Sequence, residues 1–352
     1  MRYLDTYKPI KVLMLCLIVA LTSCEQNTNP ANDTAIRLAP ADGTEVEGQA
    51  VTEDATVWAY KTMTAAEGGS TSSWLFNCGD DGRGATINTS ENTIALDLEN
   101  GETAVPTEYW SNDKYTFFSL WPQVRGASAT VGGNLTFDFN ALNQDDQLVS
   151  FNNYNFDGNA ARTAAVDFTY DHALAKIYIK LTKNNANNDD DVKLRKVTLK
   201  GFYASGTCTV SDKIEWSGTG DNKEETTVVL FEATTEENAL EIKHDEPYTV
   251  VGATTDTDGG YLVIPQTVDG TIQLIVEYDF YRKSTAEEGV TPEREPKTIS
   301  TYIPSNTIKT WKPGLKHTYN CILKAESSKI LFTTPDIKPW GRQQVGGTII
   351  IQ

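Results

Sequence analysis

From Ala35 onward the apolar residues recur mainly at every second position, in short segments bounded by Gly, Asn, Asp and Pro. That period puts alternate side chains on opposite faces of an extended backbone, so it predicts β-strands. The clearest are Ala55 to Tyr60, Thr93 to Leu98, Lys114 to Trp121 and Asn134 to Phe139. Lys176 to Thr182, Val192 to Tyr203, Thr226 to Phe231, Tyr261 to Pro265, Thr271 to Tyr281, His317 to Leu323 and Ile330 to Thr333 follow. In the first of these later segments Ile177, Ile179 and Leu181 face one way and Lys176, Tyr178 and Lys180 the other, the pattern of a half-buried strand. Thr271 to Tyr281 repeats it, with Ile272, Leu274, Val276, Tyr278 and Phe280 on one face. No long segment has a helical period. Many short strands without intervening helices predict an all-β fold of antiparallel β-sandwiches.

Ahead of the strands the pattern is different. Val12 to Leu21 is an unbroken, mostly apolar run, about half of the roughly 20 residues that a membrane-spanning helix needs. It follows Arg2, Lys8 and Lys11, opposed only by Asp5, and small residues come after it, so residues 1–23 read as a signal peptide. Leu21-Thr22-Ser23-Cys24 resembles the bacterial lipobox, in which the thiol is alkylated by diacylglycerol, the chain is cut before the cysteine, and the new amine is acylated. The alternative is an ordinary signal peptide with an incidental cysteine. Because several acyl chains hold a protein stably where one holds it reversibly, lipidation of Cys24 predicts a lasting tether outside the cytoplasm. Residues 25–34 have almost no apolar content and extend that tether as a flexible stalk, residues 24–34 in all.

Composition sharpens the reading. Of 352 residues, 329 remain after residue 23, enough for two domains of roughly 150 each. A loop rich in Asn, Asp, Gly and Ala, Asn152 to Ala165, predicts a boundary near residue 160, giving domains at 35–160 and 161–352. The whole chain carries a formal charge of −18, which repels phosphate backbones and makes nucleic acid a poor partner. Cys78, Cys208 and Cys321 each lie on the apolar face of a strand-like alternation, as small buried hydrophobes do; a single Cys208 to Cys321 bridge is the alternative. Asn184 to Asp191 and Glu287 to Pro296 read as solvated loops.

Little in the sequence speaks for catalysis. His172, His244 and His317 are far apart and in no metal-ligand or nucleophile spacing, and no HExxH, GxSxG, CxxC or P-loop motif is present. Asn153 to Gly158 imitates the first half of a calcium loop, but Ala164 stands where its bidentate Glu belongs. The reading is therefore of a protein without enzymatic activity, metal or cofactor. Trp74, Trp110 and Trp121 have apolar neighbours and read as core; Trp216, Trp311 and Trp340 border loops, where they serve packing or form a platform for glycans.

Five stretches taken in order resemble the fimbrillin family of Bacteroides-group bacteria: Tyr109 to Pro122, Val166 to Leu181, Tyr261 to Phe280, Trp311 to Lys324 and Ile330 to Trp340. They carry an aromatic-rich strand ending in Pro, a strand with His172-Ala173-Leu174-Ala175-Lys176-Ile177, a Pro265-Gln266 strand end, a Trp-x-x-Gly and a final Ile337-x-x-Trp340. The resemblance implies two transthyretin-like antiparallel β-sandwich domains in tandem. It also implies a lipid-anchored fimbrial (pilus) subunit, accessory or tip protein at the outer membrane and cell surface, contributing to adhesion. In this family the first strand fills a groove, an arginine-specific protease removes it, and a strand of a neighbouring subunit replaces it by β-augmentation.

Two segments suit those roles. Ala35, Ile36, Leu38 and Ala39 belong to a strand-like pattern that fits the self-complementing first strand, with Arg37 as the candidate maturation site. Arg37 lies inside that strand rather than after it, so a cut there splits it, a departure that favours an anchor, a tip or a non-fimbrial lipoprotein. Thr348, Ile349, Ile350 and Ile351, after the pair Gly346-Gly347, form the candidate donor or, alternatively, an ordinary last strand. The expected partners are other fimbrial subunits, the outer membrane and, for a tip, a surface ligand. A non-fimbrial surface lipoprotein that binds glycans through exposed aromatics is the rival reading.

Overall fold

The computed structural model describes residues 35–40, 54–64, 68–88, 93–99, 101–156, 165–184, 190–218, 223, 226–244, 246–250, 260–283, 290–340 and 343–344. The fold is all-β, and its strands form two halves. The first is organised around a middle sheet. Asp54–Thr64 runs antiparallel between Lys114–Trp121 and Arg83–Asn88, with Leu148–Asn155 beyond the former and Thr93–Leu96 beyond the latter. Every residue of Lys114–Trp121 after Lys114 is buried. Both faces of the sheet are covered, so the run reads as nearly continuous apolar sequence rather than as an alternation. Tyr115, Phe117 and Trp121 enter one core with Ala55, Val57 and Ala59, while Phe118 and Leu120 enter another with Trp58 and Tyr60.

The cover over Phe118 is a four-stranded sheet of Ser128–Ala129, Leu135–Asn140, Ser205–Val210 and Ile214–Gly218. Its last two strands form a hairpin that returns from the second half and pairs along Leu135–Asn140. The opposite face is covered by Ala165–His172, which pairs with Leu148–Asn155 at Asp171↔Val149 and His172↔Leu148 and sends Val166, Phe168 and Tyr170 into the core. The Tyr170 hydroxyl lies 2.7 Å from Ser119 Oγ, which accounts for the one serine in the apolar run. The strands on either side of residue 160 therefore pair with each other, and the chain passes to the second half after His172.

In the second half, Ala175–Lys183 runs parallel to Leu315–Lys324 and antiparallel to Tyr248–Val250 and Tyr261–Val263. Facing it is a sheet in the order Thr227–Glu232, Asp191–Lys200, Gln273–Tyr281, Arg294–Tyr302. Ile177, Ile179 and Leu181 meet Leu274, Val276, Tyr278 and Phe280 in a shared core, as the alternation predicts. The other face of Ala175–Lys183 is drier than a half-buried strand: Lys176 is 0% and Tyr178 8% exposed, because Gly260 lies close against both and Lys176 reaches over the Trp340 ring. Asp279 is buried on the outer face of its strand, between the guanidinium groups of Arg195 and Arg294.

Two glutamines tie the halves by copying strand pairing with a side chain. Gln144 Nε2 donates to Leu262 O at 2.9 Å and its Oε1 accepts from Leu262 N at 2.8 Å. Gln266 does the same with Tyr203, accepting from its N at 2.8 Å and donating to its O at 2.9 Å. Around them Ala141, Leu174, Leu262 and Ile264 form a small apolar cluster against which Trp216 and Trp340 pack.

Cys78, Cys208 and Cys321 are free and buried, which overturns the Cys208 to Cys321 bridge: Cys208 belongs to a core of the first half and Cys321 to that of the second. Burial pushes all three thiols up, Cys78 to about 12, so they are unreactive.

His317, 1% exposed, accepts from Lys312 N at 3.1 Å, and burial pushes its pKa down from 6.5 to about 4. The unfolded chain then binds a proton below pH 6.5 that the fold takes up only below about 4. This histidine's contribution to stability is complete above pH 6.5 and is lost as pH falls towards 4, by up to about 3 kcal/mol at roughly 1.4 kcal/mol per pH unit. Urea unfolding at pH 4.5 and pH 7 should therefore differ less in His317→Asn than in the parent, by about 2 kcal/mol.

Candidate strand-exchange site

The strand Arg37–Pro40 pairs in parallel with Ala165–His172, in the register Arg37↔Ala165, Leu38↔Val166, Ala39↔Asp167 and Pro40↔Phe168. Just before it, Ile36 N donates to Glu108 O at 2.8 Å, and Ala35 bridges Tyr109. The alternation read from the sequence becomes burial: Ile36 is 0% and Leu38 1% exposed, both in the core that holds Val57, Phe117 and Phe168. Burying an aliphatic side chain of this size contributes about 1.5–3 kcal/mol, so these two residues plug the core as well as extend the sheet.

The acceptor strand has holds of its own. Asp171 and His172 pair with Leu148–Asn155, Tyr170 meets Ser119, and the Tyr154 hydroxyl hydrogen-bonds the backbone of Asp167. Burial pushes the Tyr154 and Tyr170 hydroxyls up, leaving both as neutral hydrogen-bonding groups. The seat thus has contacts to the rest of the first half that do not involve Arg37–Pro40.

The backbone of Arg37 is inside this ladder. A protease that needs an extended substrate must first draw the strand off the sheet, and the cut then parts Ile36 from Leu38, two neighbours in one core. Arg83 offers no alternative site in the folded chain. It is 1% exposed, donates to Phe76 O at 2.6 Å and Asp97 O at 2.7 Å, and pairs with Glu102, whose carboxyl it holds at about 2.

The far end of the described chain returns to the same strand. Gln343–Gln344 pairs antiparallel with Ala165–His172 at Tyr170↔Gln343 and Thr169↔Gln344. Cys24 and the donor residues Thr348, Ile349, Ile350 and Ile351 lie outside the described residues. Sequence reasoning supplied the first strand and missed its seat. The alternation of Val166, Phe168 and Tyr170 is visible, but nothing local assigns it Ile36 and Leu38 as neighbours.

The tryptophans considered for a glycan platform are engaged within the protein. Trp311 is 0% exposed and donates to Tyr319 Oη at 2.9 Å, Trp216 donates to Ala173 O at 2.7 Å, and Trp340 stacks on His172 with ring centroids 3.7 Å apart. His172 in turn meets Asp146 Oδ2 at 2.7 Å through Nδ1. Among the described residues no three His, Cys, Asp or Glu side chains converge to hold a metal ion.

Residues 44–340 match the fimbrillin-like family model. A solved fimbrial protein from Bacteroides vulgatus shares the fold with a TM-score of 0.53 at 18% identity, over 87% of this chain and 99% of that one. A putative cell adhesion protein from Bacteroides uniformis aligns at 13% identity and a TM-score of 0.47, over 88% and 99% of the two chains. The tip fimbrial protein Mfa3 from Porphyromonas gingivalis aligns at 11% identity and a TM-score of 0.33, over 87% and 99% of the two chains. No curated protein sequence matches the chain.

Leu38→Ala should destabilise the intact protein by about 2–5 kcal/mol, the range for truncating a buried leucine. Ala39→Ser, a small change at a neighbouring position of the strand, should cost less than half as much in the same urea melts.

Proposed function

We propose, because the chain belongs to the fimbrillin-like family, that it is a lipid-tethered fimbrial or accessory subunit at the cell surface, joined to its neighbours by strand exchange. The observation that carries this reading is the seating of Ile36 and Leu38. A short terminal strand completes a core and a ladder that an independently held strand supports. When Arg37–Pro40 leaves, it uncovers an apolar slot beside the unpaired backbone of Ala165 to Phe168, which is what a guest strand needs. Main-chain hydrogen bonds would hold the guest, and alternate side chains would give it register. The role is structural rather than catalytic.

The donor in this reading is Thr348 to Ile351, β-branched residues that favour extended backbone, carried beyond Gly346-Gly347. Cys24 supplies the tether through its acyl chains, with residues 25–34 as the stalk, and places the protein in the outer membrane. Arg37 is the maturation site, reached when the strand breathes off its seat, and a cut there also frees the chain from the Cys24 tether, which therefore holds the uncut form. The glycan-binding alternative is less favoured, because Trp311 is buried and Trp340 is stacked on His172.

A chain that begins after Pro40 should form a concentration-dependent ladder of oligomers on native gels, while the intact chain stays monomeric. An excess of synthetic peptide spanning Ala35 to Pro40 should suppress the ladder. A trimmed chain that keeps its circular dichroism yet remains monomeric at all concentrations would refute strand exchange. For the tether, Cys24→Ser should move the protein from the membrane fraction to the soluble fraction. The parent's N-terminal peptide should carry acyl mass at Cys24.

A further inference from the structure

The first strand meets the protein along two edges. Arg37–Pro40 pairs in parallel with Ala165–His172, and one step earlier Ile36 N donates to Glu108 O at 2.8 Å while Ala35 forms an antiparallel bridge with Tyr109. Glu108 is itself held without the strand. Its Oε1 accepts from Phe76 N at 3.3 Å, and Arg83 Nη1 donates to Phe76 O at 2.6 Å. Phe76 sits at φ 53°, a left-handed conformation that a residue other than glycine keeps only when its surroundings fix it. Its ring is fully buried in the core that receives Ile36 and Leu38. Arg83 also pairs with Glu102, which accepts from Asn77 Nδ2 at 3.1 Å. The segment from Glu102 to Glu108 is therefore tied to the Phe76 turn at both ends.

We propose that Glu108 O is a fixed hook that sets the direction and register of any strand taking this seat. It rests on the strand-exchange reading for the existence of a guest, and it specifies that guest. The guest is an extended segment running parallel to Ala165–Phe168, with apolar side chains at the positions of Ile36 and Leu38 and a free N–H at the first of them. A strand running the other way turns a carbonyl towards Glu108 O, so two acceptors face each other. A proline at the first apolar position brings no donor at all. A slip of one residue keeps a donor near the hook but turns both apolar side chains out of the core. The slot alone asks for alternate apolar residues and is indifferent to strand polarity; the hook adds the choice of polarity. The carboxylate of Glu108 is a positioning group, acting on the guest only through the placement of its own backbone carbonyl.

Peptide exchange tests the hook. The full chain, carrying Cys16→Ser, Cys24→Ser and a site-specific protease sequence inserted after Pro40, is nicked so that the first strand stays seated as a bound fragment. Fluorescent peptides spanning Ala35 to Pro40 are then added in excess, and their uptake is followed by anisotropy. A peptide with an ester in place of the Ala35–Ile36 amide, which lacks that N–H, should bind about fivefold more weakly, the effect of one ordinary hydrogen bond. In Glu108→Ala the two peptides should bind alike, and Glu108→Gln, which keeps an acceptor for Phe76 N, should restore the difference. Direction is read by trapping. With Tyr109→Cys in the chain, a peptide carrying Ala35→Cys should form a disulfide about tenfold faster than one carrying Pro40→Cys, because only the first is placed at a bridging position. Cys78, Cys208 and Cys321 are buried and do not compete. Equal binding of the ester and amide peptides to the parent seat, or trapping as fast from the Pro40→Cys end, would overturn the hook and leave strand exchange standing. Failure of every peptide to replace the fragment would overturn the strand-exchange reading, and the guest specified by the hook with it.

Discussion

The structure depends on covering both faces of the middle sheet of the first half. Trp58, Tyr60, Phe118 and Leu120 face one way and Val57, Tyr115, Phe117 and Trp121 the other, so neither face can be left to water. Each cover is brought in from elsewhere in the chain. The hairpin Ser205–Gly218, in the strands Ser205–Val210 and Ile214–Gly218, returns from the second half to widen one of them. The other needs Ala165–His172 together with residues from the start of the described chain. Ile36 and Leu38 complete that core from a segment whose own ladder is only four residues long, so the cover hangs on few contacts at that end.

The two covers differ in how firmly they are held. The hairpin is locked through Trp216 to Ala173, through Cys208 and Val210 in the core, and by the Gln266 clamp on Tyr203 just before it. It binds the halves into one mechanical unit. The first strand has two buried side chains, a short ladder and one hydrogen bond to Glu108.

Much of this architecture was legible in the sequence, and the limit has a physical cause. Period two marks a strand wherever one face is apolar, so Lys176 to Thr182 and Thr271 to Tyr281 were read with the correct inward residues. Leu148–Asn155 was not read as a strand, and its second part was taken for a linker loop because its asparagines sit half exposed. Likewise Arg294–Tyr302 was taken in part for a loop, since Pro296 and its charges stand on an edge where no neighbour needs the N–H. Partners were the harder part. The pairing of Arg37 with Ala165, or of Ser205 with Asn140, joins residues far apart in the chain, and no local pattern encodes it. The Gln144 and Gln266 clamps were invisible for the same reason, since each amide answers a distant backbone.

The edges of the sheets differ in length and charge. An unpaired strand edge invites pairing with any chain, so a protein built to assemble must close all but the intended edge. In the second half, Arg294–Tyr302 presents Glu295, Pro296 and Lys297 along its edge, and the opposite border is divided between Thr227–Glu232 and the two-residue Leu240–Glu241. In the first half, the far edge of the middle sheet is the four-residue Thr93–Leu96. Against these short or charged borders, Ala165–His172 is an eight-residue strand with three large side chains in a core, and its first four residues pair with the short strand Arg37–Pro40. Specificity then follows from subtraction. Without the first strand, the four residues Ala165 to Phe168 would lose a backbone partner beside an apolar slot. A guest that lacks apolar residues at alternate positions would pair there without filling the slot, and would be lost to one that fills it.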